Sequence, residues 1–272
     1  MKATTMSNYF ASVSALLNFA VSADLIPFNP AHKIKPPKEH RPKIAQSWQS
    51  FSKAEVQNLI TVATDIWTNR RVIKFKNKPH LATRKSDLIT ALHMLVWTGA
   101  RPEEICQLRL ADVSLSNLTV SITNDDSDDE PELRTRFTKN ENSVRVVPIH
   151  SKLSPILQSH LEVRDAIANG PLLFPSFAPN GPTGRYGRTI SQEWTSHLRE
   201  LVTTSPRKVL YSLRHSWKAE SLAVGMPEHV RLALMGHGGE NAAADRYAKD
   251  AEWTDEKRRC VEMMDCVGVA AD

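Results

Sequence analysis

The chain has 272 residues, of which 41% are hydrophobic and 24% are charged, as expected for a globular protein with one large domain and room for a small appendage. Charged residues interrupt every apolar run before it reaches the length of a membrane span, and the N-terminus lacks the pattern of a secretory signal. The three cysteines are odd in number and lack paired ligand spacing, which argues against a disulfide framework or a zinc site and indicates a reducing cytoplasm.

The net charge of +5 comes from 35 Lys and Arg against 30 Asp and Glu, and it is unevenly distributed. The acidic run at residues 125–132 (DDSDDEPE) conceals a more strongly basic remainder. A polyanion such as DNA fits this charge, although charge alone does not distinguish a DNA-binding protein from other basic proteins. Because the acidic run lacks the spacing of a calcium loop, we interpret it as a solvated insertion rather than a metal site.

The apolar spacing and the proline content divide the chain into four segments, which are residues 1–26, 27–50, 51–250 and 251–272. The first is predicted to contain an amphipathic helix, because its apolar residues recur at helical spacing. The second contains five prolines among Lys, Arg and His and is predicted to be an extended basic linker. The third begins with a capping box of Ser52 and Glu55, and the fourth is a helical tail with one apolar stripe.

The third segment is predicted to be mostly helical, with a small antiparallel β-sheet inserted early, which places the chain in the α+β class. Its predicted helices cover Ser86–Thr98, ended by Gly99, Pro102 to about Leu110, and Ser212–Val224, capped by Ser212. A strand is predicted over Leu118–Thr123, and a hairpin over 133–149 with Lys139 in its turn.

Arg101 and Glu104 form the first group with possible chemistry. Arg101 follows the predicted helix stop at Gly99 and lies where a new helix begins, so free amides, the helix dipole and the guanidinium together favour an anion. Glu104 is three residues further on, on the same side of the helix, and can hold the guanidinium in place. An exposed arginine beside a helix cap explains the same pattern without any function.

A second group lies later in the chain. Arg214 is predicted in the first turn of a helix, where a cation is unfavourable unless an anion or an acid faces it. His215 follows it and also fits an ordinary core histidine. His237 projects from a glycine-rich turn ten residues before Tyr247. Taken singly, Tyr247 fits a packing residue and Lys139 a solvated turn residue.

Taken together and in this order, these residues resemble the tyrosine recombinase (phage integrase) family. The first-arginine box of the family is similar to TGARPEEICQLRLADV, its lysine hairpin to FTKNENSVRVVPI, its second-arginine box to YSLRHSWKAESLAVGMPEHVRLALMGH and its nucleophile segment to DRYAK. The resemblance covers about Ser52 to Lys249 and implies a catalytic domain of the tyrosine recombinase and type IB topoisomerase fold. Residues 1–26 resemble the last helix of a core-binding domain, here truncated.

The resemblance implies a site-specific recombinase or integrase that cleaves and rejoins DNA through a 3′-phosphotyrosyl intermediate, with no metal, other cofactor or ATP. It makes Tyr247 the nucleophile and Lys139 the general acid for the leaving 5′ oxygen. Two arginines match phosphate oxygens bidentately, so Arg101 and Arg214 would clamp the phosphate, and His237 would add a hydrogen bond.

The supporting residues implied are Glu104 and His215. The family usually has His where this chain has Tyr211; a phenol can donate a hydrogen bond to the phosphate, but its pKa of about 10 makes it a poor base. The implied partners are double-stranded DNA and further copies of the chain, in a tetramer on DNA. No membrane is implied, and the expected location is the cytoplasm, at the nucleoid.

Two other functions fit parts of the sequence. One is a catalytically impaired DNA-binding regulator on the same fold, against which the joint presence of five candidate catalytic residues argues: Arg101, Lys139, Arg214, His237 and Tyr247. The other is a topoisomerase that relaxes supercoils, against which the N-terminal helix and proline-rich linker argue.

The C-terminal tail must bury its apolar stripe, and in the family that the chain resembles the tail often packs on a neighbouring protomer. We therefore expect docking in trans in the complex, and docking in cis or disorder in a free monomer.

Overall fold

Helices make up most of the residues that the structure, a computed structural model, describes: 3–35, 48–69, 82–123, 143–177, 179, 184–237 and 251–268. The chain divides into two units, Met1–Ser47 and Trp48–Asp272. The helices are α1 Ala3–Ser22, α2 Lys53–Asn69, α3 Arg84–Thr98, α4 Pro102–Cys106, α5 Ser154–Ile167, α6 Arg188–Glu193, α7 Arg199–Val202, α8 Ser212–Ala223, α9 Glu228–Met235 and α10 Ala251–Glu262. A π-helical stretch, Trp194–Leu198, joins α6 to α7. No helix among the described residues is both long and apolar enough to cross a bilayer.

The first unit contains α1 and the turns that follow it. The side-chain amide of Asn29 donates to Oδ1 of Asn18 at 2.6 Å and to Oγ of Ser14 at 3.3 Å, and it thereby folds the chain back onto α1. Ala31 is buried by this return. The predicted amphipathic helix is present, but the predicted extended linker is wrong for residues 27–35, because the Asn29 amide finds partners on α1.

The second unit is built around α3, which packs against α2, α4, α5 and α8. The predicted capping box begins α2: the Glu55 amide donates to Ser52 Oγ at 3.2 Å, and the Ser52 amide donates to the Glu55 carboxylate at 2.8 Å. The buried face of α2 repeats at helical spacing through Val56, Leu59, Ala63 and Trp67. The predicted helix over Ser86–Thr98 is confirmed as α3, which begins two residues earlier.

A three-stranded antiparallel sheet has the order β1 (Val113–Ser114), β2 (Thr119–Ile122) and β3 (Arg145–Pro148). The predicted small sheet is therefore confirmed, with Val120 paired to Val147 at its buried centre. The two-residue strand β1 is too short to show an alternating pattern. Within the described residues β3 pairs with β2; Lys139 and the rest of the predicted hairpin lie outside them.

Two predicted details of the helices are wrong. The helix from Pro102 ends at Cys106 instead of about Leu110, because the chain pairs with a later loop: Leu173 N donates to Leu108 O at 2.9 Å and Leu110 N to Pro171 O at 2.8 Å. Ser212 does not cap α8. Its hydroxyl accepts from Val209 N at 3.1 Å, and Tyr211 precedes the helix instead.

The C-terminal tail packs in cis on the second unit. Ser151 donates from its amide and its hydroxyl to the Glu262 carboxylate, both at 2.7 Å. His150 Nε2 donates to Met264 O at 3.1 Å. The buried side chains of the tail are Cys260, Val261, Met264 and Cys266. The tail is thus part of the hydrophobic core of the isolated chain.

Candidate active site

The corner between α3 and α4 places Arg101. Gly99 ends α3 with a φ of 61°, and a Cβ there would lie 2.6 Å from the Trp217 ring, so only glycine lets α3 approach α8 this closely. The Arg101 backbone N–H donates to Glu104 Oε2 at 2.8 Å. Its side chain, 16% exposed, donates through Nη1 to Glu104 Oε1 at 2.5 Å and to Ser143 Oγ at 3.3 Å.

The buried carboxylate of Glu104 is shared by two arginines. Its Oε1 binds Arg101, and its Oε2 accepts from Arg145 Nη2 at 2.9 Å. Burial alone would raise the pKa of Glu104, but the adjacent guanidinium groups of Arg145 and Arg101 hold it below its usual value. Glu104 is therefore ionised at neutral pH and fixes the direction of the Arg101 side chain.

Arg214 connects the same corner to the end of α9. Its Nη1 donates to Gly99 O at 2.8 Å, while its Nη2 contacts Met235 O and lies 3.0 Å from His237 Nε2. Burial, with the positive charges of Arg101 and Arg145, lowers the pKa of Arg214 to about 10. Arg214 still carries its charge at neutral pH, but no carboxylate of the described residues binds it directly.

His237 follows the C-terminal cap of α9. Gly236 ends that helix with a φ of 62°, and a Cβ there would lie 2.8 Å from Arg145 Nη1, so glycine allows the turn to lie against the arginine. Burial and the nearby Arg214 and Arg101 lower the pKa of His237 to about 4. The imidazole is therefore neutral at pH 7. Because its Nε2 accepts from Arg214, its proton lies on Nδ1.

The cluster has an excess of positive charge. Arg101 and Arg145 share the Glu104 carboxylate, and among the described residues no carboxylate binds Arg214. Three positive charges against one negative charge leave two unbalanced, in a site where burial weakens the screening by water. Such a site attracts an anion with several acceptor oxygens.

Tyr211, which precedes α8, and His215, near the beginning of α8, adjoin the cluster. Their rings pack edge to face with centroids 5.5 Å apart, and both side chains are half-buried. Burial, then Lys218 and Arg214, lowers the pKa of His215 below its usual value, so it is neutral at pH 7. His215 thus supports the position of the Tyr211 ring.

Four of the predicted site residues lie in one cluster: Arg101 hydrogen-bonds Glu104, Arg214 hydrogen-bonds His237, and Arg214 also interacts through its charge with Arg101 and Glu104. The predicted Lys139 and Tyr247 lie outside the described residues. Sequence reasoning missed Arg145 and Ser143. A signal for Arg145 was available, since alternation along β3 places it on the same buried side as Val147, where a charged residue needs partners.

The described residues include no group of three or more His, Cys, Asp or Glu side chains placed to hold a metal ion. The three cysteines are free and buried. Burial raises the pKa of the Cys266 thiol to about 12, and it also raises the pKa of the Cys106 thiol well above its usual value. Both thiols are therefore protonated at neutral pH.

The cationic cluster lies between α3, α4, α8 and α9 of this α+β domain. The sequence profile of the Phage integrase family matches residues 55–252, more than half of the chain. The chain therefore belongs to the phage integrase family, which confirms the resemblance drawn from its motifs. It is an enzyme of site-specific DNA recombination.

Individual relatives agree with this assignment. A tyrosine recombinase of Thermosipho africanus (strain TCF52B) is 25% identical over 234 residues, which are 86% of this chain and 68% of that protein. A lambda integrase dimer bound to a COC′ core site matches with a TM-score of 0.55 and 14% identity, over 88% of this chain and 73% of that chain.

Two further solved structures share the fold. The Tn1549 transposon integrase with circular intermediate DNA has a TM-score of 0.53 at 16% identity, over 95% of this chain and 79% of that chain. A lambda integrase tetramer on a Holliday junction has a TM-score of 0.56 at 14% identity, over 100% of this chain and 62% of that chain. At these identities the likeness supports the fold, and the predicted fold class is confirmed.

Proposed function

We propose that the cationic cluster binds the scissile phosphate of double-stranded DNA and that Tyr247 attacks this phosphate. The observation that carries the proposal is the excess of positive charge around Arg101 and Arg214. A phosphodiester has two nonbridging oxygens that match the paired donors of a guanidinium. The cluster thus has the charge that this ligand requires.

The arginines would act mainly on the transition state. Negative charge on the nonbridging oxygens increases as the nucleophile attacks, and fixed cations in a partly buried site stabilise it without reorganisation. Arg101 and Arg214 supply these charges, and the neutral His237 supplies a further N–H donor. Glu104 holds Arg101 in place and does not itself react.

The covalent step would exchange one phosphoester for another. The Tyr247 phenol oxygen bonds to phosphorus, the bond from phosphorus to the 5′ oxygen breaks, and Lys139 donates a proton to that oxygen. The phenol proton leaves to solvent or to a neighbouring base. Because the two esters are of similar energy, attack by another 5′-hydroxyl rejoins the strand without ATP, and the cations of the cluster take the role that a metal has in other phosphoryl transfers.

Tyr211 stands where the family usually has His, beside Arg214 on α8. A phenol at this position donates a hydrogen bond to a phosphate oxygen but is a poor base at neutral pH. We therefore assign Tyr211 to binding the phosphate, and we expect removal of the Tyr247 proton to depend on solvent more than in relatives with His.

The partners that we propose are double-stranded DNA and other copies of this chain. Lambda integrase was solved as a dimer on a core site and as a tetramer on a Holliday junction. We propose the same kind of assembly here, a tetramer on the recombining DNA, and a place of action at the nucleoid, where the DNA is.

The test is covalent capture of the protein on a nicked suicide duplex. The sequence of this duplex is taken from DNA that is recovered with the full chain from its source cells. The wild-type protein should form a protein–DNA adduct, with the DNA on the peptide that contains Tyr247. Tyr247→Phe should abolish the adduct and leave DNA binding nearly unchanged, since only one oxygen is removed. An adduct with the Phe variant would disprove the assignment of the nucleophile.

The same experiment separates the recombinase from a catalytically impaired regulator on this fold. A regulator would bind the duplex and form no adduct with the wild-type chain. Excess EDTA is the second arm: adduct formation should continue at the same rate, because the proposed charge stabilisation comes from side chains. Loss of the adduct with EDTA would contradict the metal-free mechanism.

A further inference from the structure

We propose that Arg145 is a positioning residue of the recombination reaction, which sets the position of Arg101 relative to the His237 turn by binding Glu104 and Leu234 O at the same time. The inference rests on the proposed function, because it concerns the same phosphate site. Arg145 does not itself touch the phosphate in this scheme; it acts through the groups that do.

Arg145 lies on β3, and its contacts reach α9, α4 and Ser143, which precedes β3. Its Nε donates to Leu234 O at 2.7 Å, its Nη1 to Ser143 O at 2.7 Å and its Nη2 to Glu104 Oε2 at 2.9 Å. All three nitrogens of this guanidinium therefore bind groups of the protein, and 4% of the side chain is exposed. The same planar group thus connects β3, α4 and the last turn of α9.

The end of α9 shows why arginines gather there. The last carbonyls of a helix have no partner within it, and the negative end of the helix dipole lies at the same place. Arg145 binds Leu234 O and Arg214 binds Met235 O, so two adjacent orphan carbonyls are satisfied by two guanidinium groups. His237 follows these carbonyls directly, and the arginines therefore fix the turn from which it projects.

Each of these arginines also reaches back to the corner between α3 and α4. Arg214 binds Gly99 O at 2.8 Å, and Arg145 binds the carboxylate that holds Arg101. The end of α9 is thus tied to the corner at two points. Arg214 has a second task at the phosphate, whereas the buried Arg145 is committed entirely to this connection.

A lysine at position 145 would keep the charge but not the connection. Its single nitrogen cannot reach three acceptors that lie in the fork of a guanidinium plane. If Arg145 no longer binds Glu104 and Leu234 O at the same time, Glu104 and the His237 turn can move independently. A displacement of about 1 Å between reacting groups can cost about 10²-fold in rate. The expected defect is therefore in the rate of cleavage rather than in DNA binding.

The experiment is single-turnover cleavage of the nicked suicide duplex by Arg145→Lys. The final amount of adduct counts the folded, competent molecules, and the rate constant reports how well the site is positioned. We expect the rate constant to fall by about 10-fold to 10²-fold, with adduct yield and DNA affinity near the wild-type values. The matched control is Arg164→Lys, a second buried arginine whose Nε binds Leu172 O at 3.2 Å, outside the cluster.

A second variant covers the case in which Arg145→Lys does not fold. Glu104→Gln combined with Arg145→Met removes both members of the buried pair, and such paired replacements often preserve the fold. We expect this double variant to give a folded protein with a cleavage rate at least about 10-fold below wild type.

The outcomes separate the inference from the function on which it rests. A wild-type rate constant in Arg145→Lys or in the folded double variant overturns the positioning role alone. A loss of adduct yield without a change in rate constant, equal to that of Arg164→Lys, assigns Arg145 to stability and also overturns it. Absence of any adduct with the wild-type chain overturns the proposed function, and this inference with it.

Discussion

Burial separates the two arginines that we place on the phosphate. Arg101 keeps part of its guanidinium exposed and is held by the Glu104 carboxylate, whereas Arg214 is buried and bound by the carbonyls of Gly99 and Met235. Arg101 is therefore neutralised in part before DNA arrives, and Arg214 is not. His237 lies within hydrogen-bond distance of Arg214 and shares its environment.

The titration of His237 reports whether an anion occupies this cluster. Burial and the charges of Arg214 and Arg101 lower its pKa to about 4, which keeps the imidazole neutral at pH 7. A bound anion favours the imidazolium, so it should raise the pKa of His237, and by linkage the anion should bind more tightly as the pH falls through this range.

Sulfate is a suitable probe, because its charge is constant between pH 4 and pH 8. We expect NMR titration of the histidines to show a pKa for His237 well below the reference of about 6.5 without sulfate and a higher value with it. Chloride at equal ionic strength is the control. A His237 pKa that is the same in sulfate and in chloride would mean that the cluster does not bind an anion.

Polar contacts as well as apolar ones hold the C-terminal tail against the rest of the second unit. Beyond the Glu262 and His150 contacts, Lys152 and Asp265 form an ion pair at 3.3 Å, and His229 lies 3.4 Å from Glu256. The apolar stripe that the sequence predicts for the tail is buried in cis in this structure. Docking in trans in the assembled complex stays a prediction from the family resemblance.

Two adjacent methionines test the cis docking. Met264 is 2% exposed and lies in the core, whereas Met263 is 55% exposed. Met264→Ala should therefore lower the free energy of unfolding of the monomer by about 2–5 kcal/mol, as for other buried methionines. Met263→Ala, the control, should have little effect. Equal urea midpoints for the two variants would show that the tail is not packed in cis in solution.

Local sequence signals predicted the helices of the second unit well. Where a predicted boundary was wrong, hydrogen bonds to residues distant in the chain explain the difference. The capping box of Ser52 and Glu55 and the helix stop at Gly99 act within a few residues. The beginning of α2 and the end of α3 can therefore be predicted from the sequence. The early end of α4 depends on Leu173, which is distant in the chain. In the same way, Asn29 turns the predicted linker through partners on α1 that no local pattern reveals.

The candidate site was predictable where its motifs are contiguous. Arg101, Glu104, Arg214 and His237 come from three separate segments, and the structure joins them in one cluster. Arg145 escaped prediction because two of its three partners, Leu234 and Glu104, are distant in the chain. Lys139 and Tyr247 stay predictions, since they lie outside the described residues.

The second unit places the unbalanced positive charge of Arg101, Arg145 and Arg214 among its packed helices. Helix α3 is buried among its neighbours and supplies the rigid base, α4 and α8 begin beside it, and α9 ends there. Family membership gives this arrangement a substrate class, and the mechanism that we propose for it rests on the excess positive charge. We propose that Arg101 and Arg214 stabilise the negative charge of the nonbridging oxygens during cleavage.

Replacing one nonbridging oxygen of the scissile phosphate by a methyl group tests this claim most directly, because the methylphosphonate has no negative charge there. Single-turnover rate constants are measured for wild type, Arg101→Ala and Arg214→Ala on both duplexes. We expect each variant to lose at least about 10²-fold on the phosphate and less than about 10-fold on the methylphosphonate. Equal losses on the two substrates would show that the arginines do not act on the charge of the phosphate.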